Sequence, residues 1–219
     1  MRTKILVMAI FGMMMMSANG FATDYVPEDL TIGGGKQSLL TLKEQFFKTS
    51  DRDQQVIIVK TINKHTSTDK FALLAEIVEF DVRTDKLGNF CHPDAVLIAL
   101  EALVQTKDPK WETIYFNLIN KYDNTKVRMT AAKGLALIGS PNMVPKLVNM
   151  IKNELSYKNF REDNQKMVAD DMVVEAIVMA LGEIGDPRCF PALLEIVTVQ
   201  NHRFQTIQAA WNAMEKLQW

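Results

Sequence analysis

The chain is poor in the residues that carry most enzyme chemistry. Its 219 residues include two cysteines, Cys91 and Cys189, and three histidines, His65, His92 and His202. The histidines are isolated, and both the helical pairing H-E-x-x-H and any His-Glu pair are missing, so metal-dependent hydrolysis and di-iron chemistry lack their ligand sets. Cys91-His92, with Asp85 and Asp94 nearby, is one Cys/His pair where a zinc site needs three or four ligands at defined spacing. It reads instead as a turn, with Pro93 opening the next helix. Cys189 has no general base at a motif spacing, which leaves nucleophilic catalysis unsupported. Gly33-Gly34-Gly35-Lys36 fails as a phosphate loop because Leu30 stands where the first glycine belongs and Gln37 where a Ser or Thr belongs. Asp170-Asp171 is read as the charged start of a helix, favourable at its positive end. No catalytic residue, cofactor or metal is expected, and the protein is expected not to be an enzyme.

Charge of one sign is lacking too. The 25 basic side chains balance 26 acidic ones, and no basic stripe marks a nucleic-acid interface. Long hydrophobic runs are limited to Ile5–Met16, 12 residues, against about 20 for a membrane span. With Arg2 and Lys4 before it and Gly20-Phe21-Ala22 after it, residues 1–22 have the layout of a cleaved secretory signal. The expected mature protein is exported, periplasmic or secreted, with no membrane span. Cleavage takes the basic count from 25 to 23, a formal charge of −3. Residues 23–36, with Pro27 and three successive glycines, read as a flexible lead-in. The first helix is expected near Gln37 or Ser38, using Leu39, Leu40, Leu42, Phe46 and Phe47 to cap the open end of the helical array.

What the chain has is a copy of itself. VRMTAAKGLALIGSPNMVPKLVNMI, starting at Val127, returns 46 residues later as VVEAIVMALGEIGDPRCFPALLEIV, starting at Val173. A third copy starts at Ala95, offset by 32, setting Ala99, Leu103 and Pro109 on Ala131, Leu135 and Pro141. A more divergent copy covers roughly Gln55 to Val78, and a half copy closes the chain, with Ala209 and Ala210 on Ala131 and Ala132. Repeats of about 20–50 residues mark a solenoid, each unit burying its apolar face on its neighbours.

Each copy predicts two helices. Val127, Ala131, Leu135 and Ile138 recur at the spacing of one helical stripe. Gly139 or Gly185 then ends the helix in the left-handed region, and Pro141 or Pro187 starts the second, where its missing N–H costs nothing. The second inner face is Leu147, Met150 and Ile151, matched by Leu193, Ile196 and Val197.

Val127-Arg128, Ala131-Ala132, Leu135 and the turns Ile138-Gly139-Ser140-Pro141 and Ile184-Gly185-Asp186-Pro187 resemble the HEAT family, above all its short, phycobilisome-lyase-type (PBS-lyase-type) repeats. The resemblance covers roughly residues 50–219. It implies an all-α fold, an α-solenoid of about four to five HEAT-like helix pairs occupying residues 37–219, and a role as a binding scaffold. Arg128 and Asp186 sit where the family favours arginine and aspartate; Val96 and Val174 replace the arginine elsewhere, which breaks up the family's polar ladder. Units about 10 Å apart put Cys91 and Cys189 beyond the roughly 7 Å reach of a disulfide.

Irregularities in the repeat point to function. The step from 32 to 46 inserts about 14 residues, Lys152–Gln165, and a similar connection, Phe80–Asp94, separates the first two units. Both join a second helix to the next first helix, so they emerge on one edge, where insertions often form the binding face. Arg83, Phe90, Tyr157, Phe160 and Arg161 are the candidate protein-binding residues, Arg and aromatics being favoured at interface hot spots. The competing reading is that Phe80, Phe90 and Phe160 fold back over the helix ends, and that part of the insertion is helical. A second candidate surface is the concave face, where Lys110, Thr113 and Asn117 adjoin Lys146 and Asn149, followed by Glu195. The expected function is an exported scaffold binding another protein, in assembly of an envelope structure. The alternatives are an accessory or lyase-like protein acting on a carrier protein, and self-association through the C-terminal helix with its Trp211 and Trp219. A DNA glycosylase, another HEAT-like fold, would need a basic aromatic groove that the charge does not supply.

Overall fold

Helical periodicity becomes ten α-helices in the computed structural model, which describes residues 38–83, 90–155, 164–198 and 202–219. Within residues 38–219, α1 (Leu39–Lys48) stands alone, followed by the pairs α2 (Arg52–Lys64) and α3 (Lys70–Arg83), α4 (Pro93–Thr106) and α5 (Glu112–Lys121). The third pair is α6 (Thr125–Ile138) and α7 (Val144–Asn149), the latter running into a π-helical turn, Met150–Glu154. The fourth is α8 (Asn164–Ile184) and α9 (Phe190–Thr198), and α10 (Phe204–Glu215) follows as a lone first helix. The described residues contain no strand. First helices α2, α4, α6, α8 and α10 pack in sequence, and α3, α5 and α9 each pack on the first helix of the next unit. This is an all-α solenoid.

The start and stop signals act as their chemistry requires. Asp51, His92 and Asn124 cap α2, α4 and α6 by accepting backbone N–H groups, as at Asn124 Oδ1 from Lys126 at 3.0 Å. Gly139 and Gly185 end their helices at φ of 70° and 73°, the left-handed region open to glycine without a Cβ clash. The second unit has no glycine there, and Lys107 takes the position at φ 52°. Pro109, Pro141 and Pro187 each open a short 3-10 turn before the second helix. The third residue of each turn (Trp111, Met143 and Cys189) is buried, three side chains of different size at one repeat position.

The core is one continuous cluster running from Leu42 to Leu217, with Ala99, Leu103, Ala131, Leu135, Ile177 and Leu181 fully buried along the first helices. Small residues set the closest approaches. A Cβ on Gly182 would lie 2.8 Å from the Ala213 backbone, so α8 and α10 touch at that glycine. In α1, Leu42 and Phe46 are buried while Leu40 is 67% exposed; the i, i+4 pair faces the array, and Leu40 falls on the opposite side.

Candidate protein-binding edge

Buried polar groups hold residues 90–92 at the end of the first connection and join α6, α8 and α10 to one another. At the first connection, Asp81 near the end of α3 is buried and takes the Cys91 N–H on both carboxylate oxygens, at 3.3 and 3.2 Å. Gln55 of α2 donates to the Phe90 carbonyl at 3.1 Å and accepts from the His92 N–H at 2.8 Å. Arg52 Nη2 donates to the Cys91 carbonyl at 3.2 Å. Three side chains thus satisfy four backbone groups of residues 90–92, the cost of burying them being met by hydrogen bonds. Burial raises the Asp81 carboxyl above its usual range, against the opposing hydrogen bonds from Cys91 and Phe90 and the charge of Arg52. The Cys91 thiol is pushed far up by burial and by the neighbouring carboxylate.

At the third connection, Arg128 reaches from α6 to Asp170 of α8, Nη1 to Oδ1 at 2.8 Å, while its Nε donates to the Ile119 carbonyl at 2.7 Å. The side chains are 12% and 9% exposed. Asp171, the next residue, fastens α10. It accepts from Arg203 N and Nε at 3.1 and 2.8 Å and from Thr206 Oγ1 at 2.8 Å, and pairs with His202 Nδ1 at 2.7 Å. Arg203 continues to Glu175 at 2.7 Å. Burial alone would raise the Asp171 carboxyl; the hydrogen bonds from His202, Thr206 and Arg203 outweigh it and hold it low.

These placements correct one expectation. Asp170 and Asp171 do not start a helix: α8 begins at Asn164, and both carboxylates sit inside it as inter-unit clamps. The inserted stretch is therefore helical on both flanks, as the π turn Met150–Glu154 and the first residues of α8. The arginine motif was visible in the sequence, but its acidic partner was not, because 42 residues separate them.

The candidate residues divide between ends of the first connection and positions outside the described residues. Arg83 closes α3, exposed, with Nη2 2.7 Å from Glu79. Phe90 is half-buried, its ring 4.9 Å from Phe80 and 6.5 Å from both Phe46 and Phe47. Phe80 and Phe90 thus fold back over the helix ends. Tyr157, Phe160 and Arg161 lie outside the described residues, as do residues 1–22 and 23–36. Cys91 and Cys189 are free and buried. The Cys91 thiol sits 3.9 Å from the Ile77 carbonyl, and His92 Nδ1 accepts the Asp94 N–H, so both groups serve the local fold. Among the described residues no cluster of three His, Cys, Asp or Glu could hold a metal, and no helix is long and apolar enough to cross a membrane.

Two contacts link neighbouring second helices. Lys146 Nζ of α7 lies 5.5 Å over the Phe116 ring of α5, and Lys152 pairs with Glu195 of α9 at 3.8 Å. At the far end, Phe204 and Trp211, 73% and 53% exposed, lie on the side of α10 away from α8.

Stacked helix pairs held by inter-unit clamps define a helical repeat scaffold. The family model described as PBS lyase HEAT-like repeat matches residues 173–198, the stretch from the middle of α8 through the Pro187 turn to the end of α9. The all-α solenoid is similar to HEAT-like repeat folds over this unit, and HEAT repeats commonly mediate protein interactions. A comparison with curated proteins gave no match.

Proposed function

We propose that this protein is an exported, non-enzymatic scaffold that binds another protein through the edge carrying its two long connections, in assembly of an envelope structure. The observation that carries the reading is the fixing of the first connection's end, where Asp81, Gln55 and Arg52 hold residues 90–92, while Arg128 ties α6 to α8, the helix that follows the second insertion. Binding groups are most effective on elements fixed in advance, because less entropy is lost on association. Arg83, Phe90, Tyr157, Phe160 and Arg161 supply the contacts, with the Phe90 ring also braced by Phe46, Phe47 and Phe80. The residues at the signal-like N-terminus support export.

A pull-down from the native envelope fraction tests this, comparing the wild type with Arg83→Ala/Tyr157→Ala/Phe160→Ala/Arg161→Ala. The expected result is a specific partner recovered by the wild type and reduced at least tenfold by the variant. Equal recovery by both proteins would remove the edge as the binding surface.

A second reading is favoured by Phe204 and Trp211. They stand seven residues apart on α10, two turns along one stripe, and are large exposed apolar side chains. Self-association through this stripe would bury both. Light scattering of the wild type against Phe204→Ser/Trp211→Ser tests it, a shift to smaller mass in the variant being expected and unchanged mass ruling it out.

A further inference from the structure

A groove of about 570 Å³ lies between the start of α3, α4 and α6. Its floor is α4, where Ile98, Glu101, Ala102 and Gln105 follow the i, i+3, i+4, i+7 spacing of one helical stripe. One wall is the start of α3, with Lys70 and Phe71; the other is α6, with Lys133.

The polar groups are arranged unevenly. Lys70 is fixed in place: its Nζ donates to the Asn63 carbonyl at 2.8 Å and lies 5.2 Å from the centre of the Phe71 ring. An ammonium has three protons to donate, so two remain for a ligand. Lys133 is exposed, and no ion pair with it is formed among the described residues. Each wall therefore offers a cation, and the one acidic group, Glu101, lies on the floor between them. In a chain whose charges balance overall, this local excess is a property of the groove. Ile98 and Ala102 are only half-buried on its floor, leaving apolar surface between the two ammonium groups.

We propose that this groove takes an acidic, apolar segment of a partner protein: carboxylates to Lys70 and Lys133, an apolar side chain over Ile98 and Ala102, and a backbone N–H or hydroxyl to Glu101. The inference rests on the scaffold reading but concerns a different surface. An open trough favours a chain segment over a small molecule, which is normally enclosed on most sides.

The test selects peptides of about twelve residues from a random display library on the full chain, then measures their affinity by fluorescence anisotropy. Selected sequences are expected to combine two or more Asp or Glu with apolar residues. Their Kd should rise at least tenfold in Lys133→Glu, an exposed substitution that leaves the fold intact, and in Ala102→Arg, which fills the floor. Raising salt from about 0.05 to 0.3 M should weaken wild-type binding severalfold, as screening of exposed charges requires. Thermal melts of the variants establish that they are folded. The proposal is overturned if no peptide enriches, if enriched peptides lack acidic residues, or if Lys133→Glu binds like the wild type. Should Thr113→Arg on α5 abolish binding while Lys133→Glu does not, the concave face is the site; the groove then falls and the scaffold reading stands. Loss of the scaffold reading itself is read separately, from the edge-variant pull-down.

Discussion

Arg128 and Asp170 meet at 2.8 Å across 42 residues of sequence, joining the third unit to the fourth from within the stack. Both are nearly buried, so each depends on the other. Removing one partner of a buried pair typically costs about 3–5 kcal/mol because a charge is left alone, whereas replacing both by apolar groups can be neutral. Arg128→Ala should therefore destabilise the array by about 3 kcal/mol or more, and Arg128→Met/Asp170→Leu should recover most of that. Denaturant unfolding of both variants measures the difference.

Two carboxylates should titrate stability in opposite directions. Asp171 is held below its ordinary value, so its contribution is present above the unfolded pKa and is lost as pH falls through the folded one. Asp81 is held above 3.8, so its contribution is complete below that value and is lost as pH rises through the folded pKa. Asp171→Asn should flatten the acid limb of the stability curve. Asp81→Asn should gain on the wild type as pH rises above the ordinary carboxylate range. Unfolding free energies collected below and above that range check both signs.

Close packing at Gly182 gives a steric prediction. An added methyl meets the Ala213 Cα at 2.8 Å, and backbone cannot turn aside as a side chain can. Gly182→Ala should cost about 1–3 kcal/mol by overpacking and loosen α10. Gly139→Ala has open space around it and should cost about 1–2 kcal/mol through its left-handed φ alone. Thermal melts separate the two, and hydrogen exchange in α10 should rise only for Gly182→Ala.

At the first connection, Phe90→Ala removes a half-buried ring from the cluster with Phe46, Phe47 and Phe80. The loss should fall below the roughly 3–5 kcal/mol of a fully buried phenylalanine. Arg83→Ala, exposed at the end of α3, should stay within about 0.5 kcal/mol. Phe90 is thus a support and Arg83 a surface group, a distinction denaturant melts of the two variants will register.

The sequence made the repeat legible because burial is periodic. Ala131, Leu135 and Ile138 repeat at helical spacing, and Gly139 with Pro141 marks a turn by backbone chemistry alone. The clamps were not legible, since nothing local ties Arg128 to Asp170 or Asp81 to Cys91. Asp170-Asp171 looked like a helix start because the repeat places one there; α8 begins earlier, at Asn164, and turns both carboxylates inward. Phe90 had two readings in sequence, ligand contact or cover, because an aromatic side chain serves either. Its nearness to Phe80 comes from the return of the chain, which no spacing in the sequence encodes.

The central claim is that the edge bearing the long connections binds a protein. Photoreactive residues placed at Arg83 and Arg161 in native cells, with Thr113 and Asn149 on the concave side as comparison, test it most directly. The account predicts one and the same partner crosslinked from both edge positions and from neither concave position. Adducts at Thr113 and Asn149 with none at Arg83 and Arg161 would contradict it.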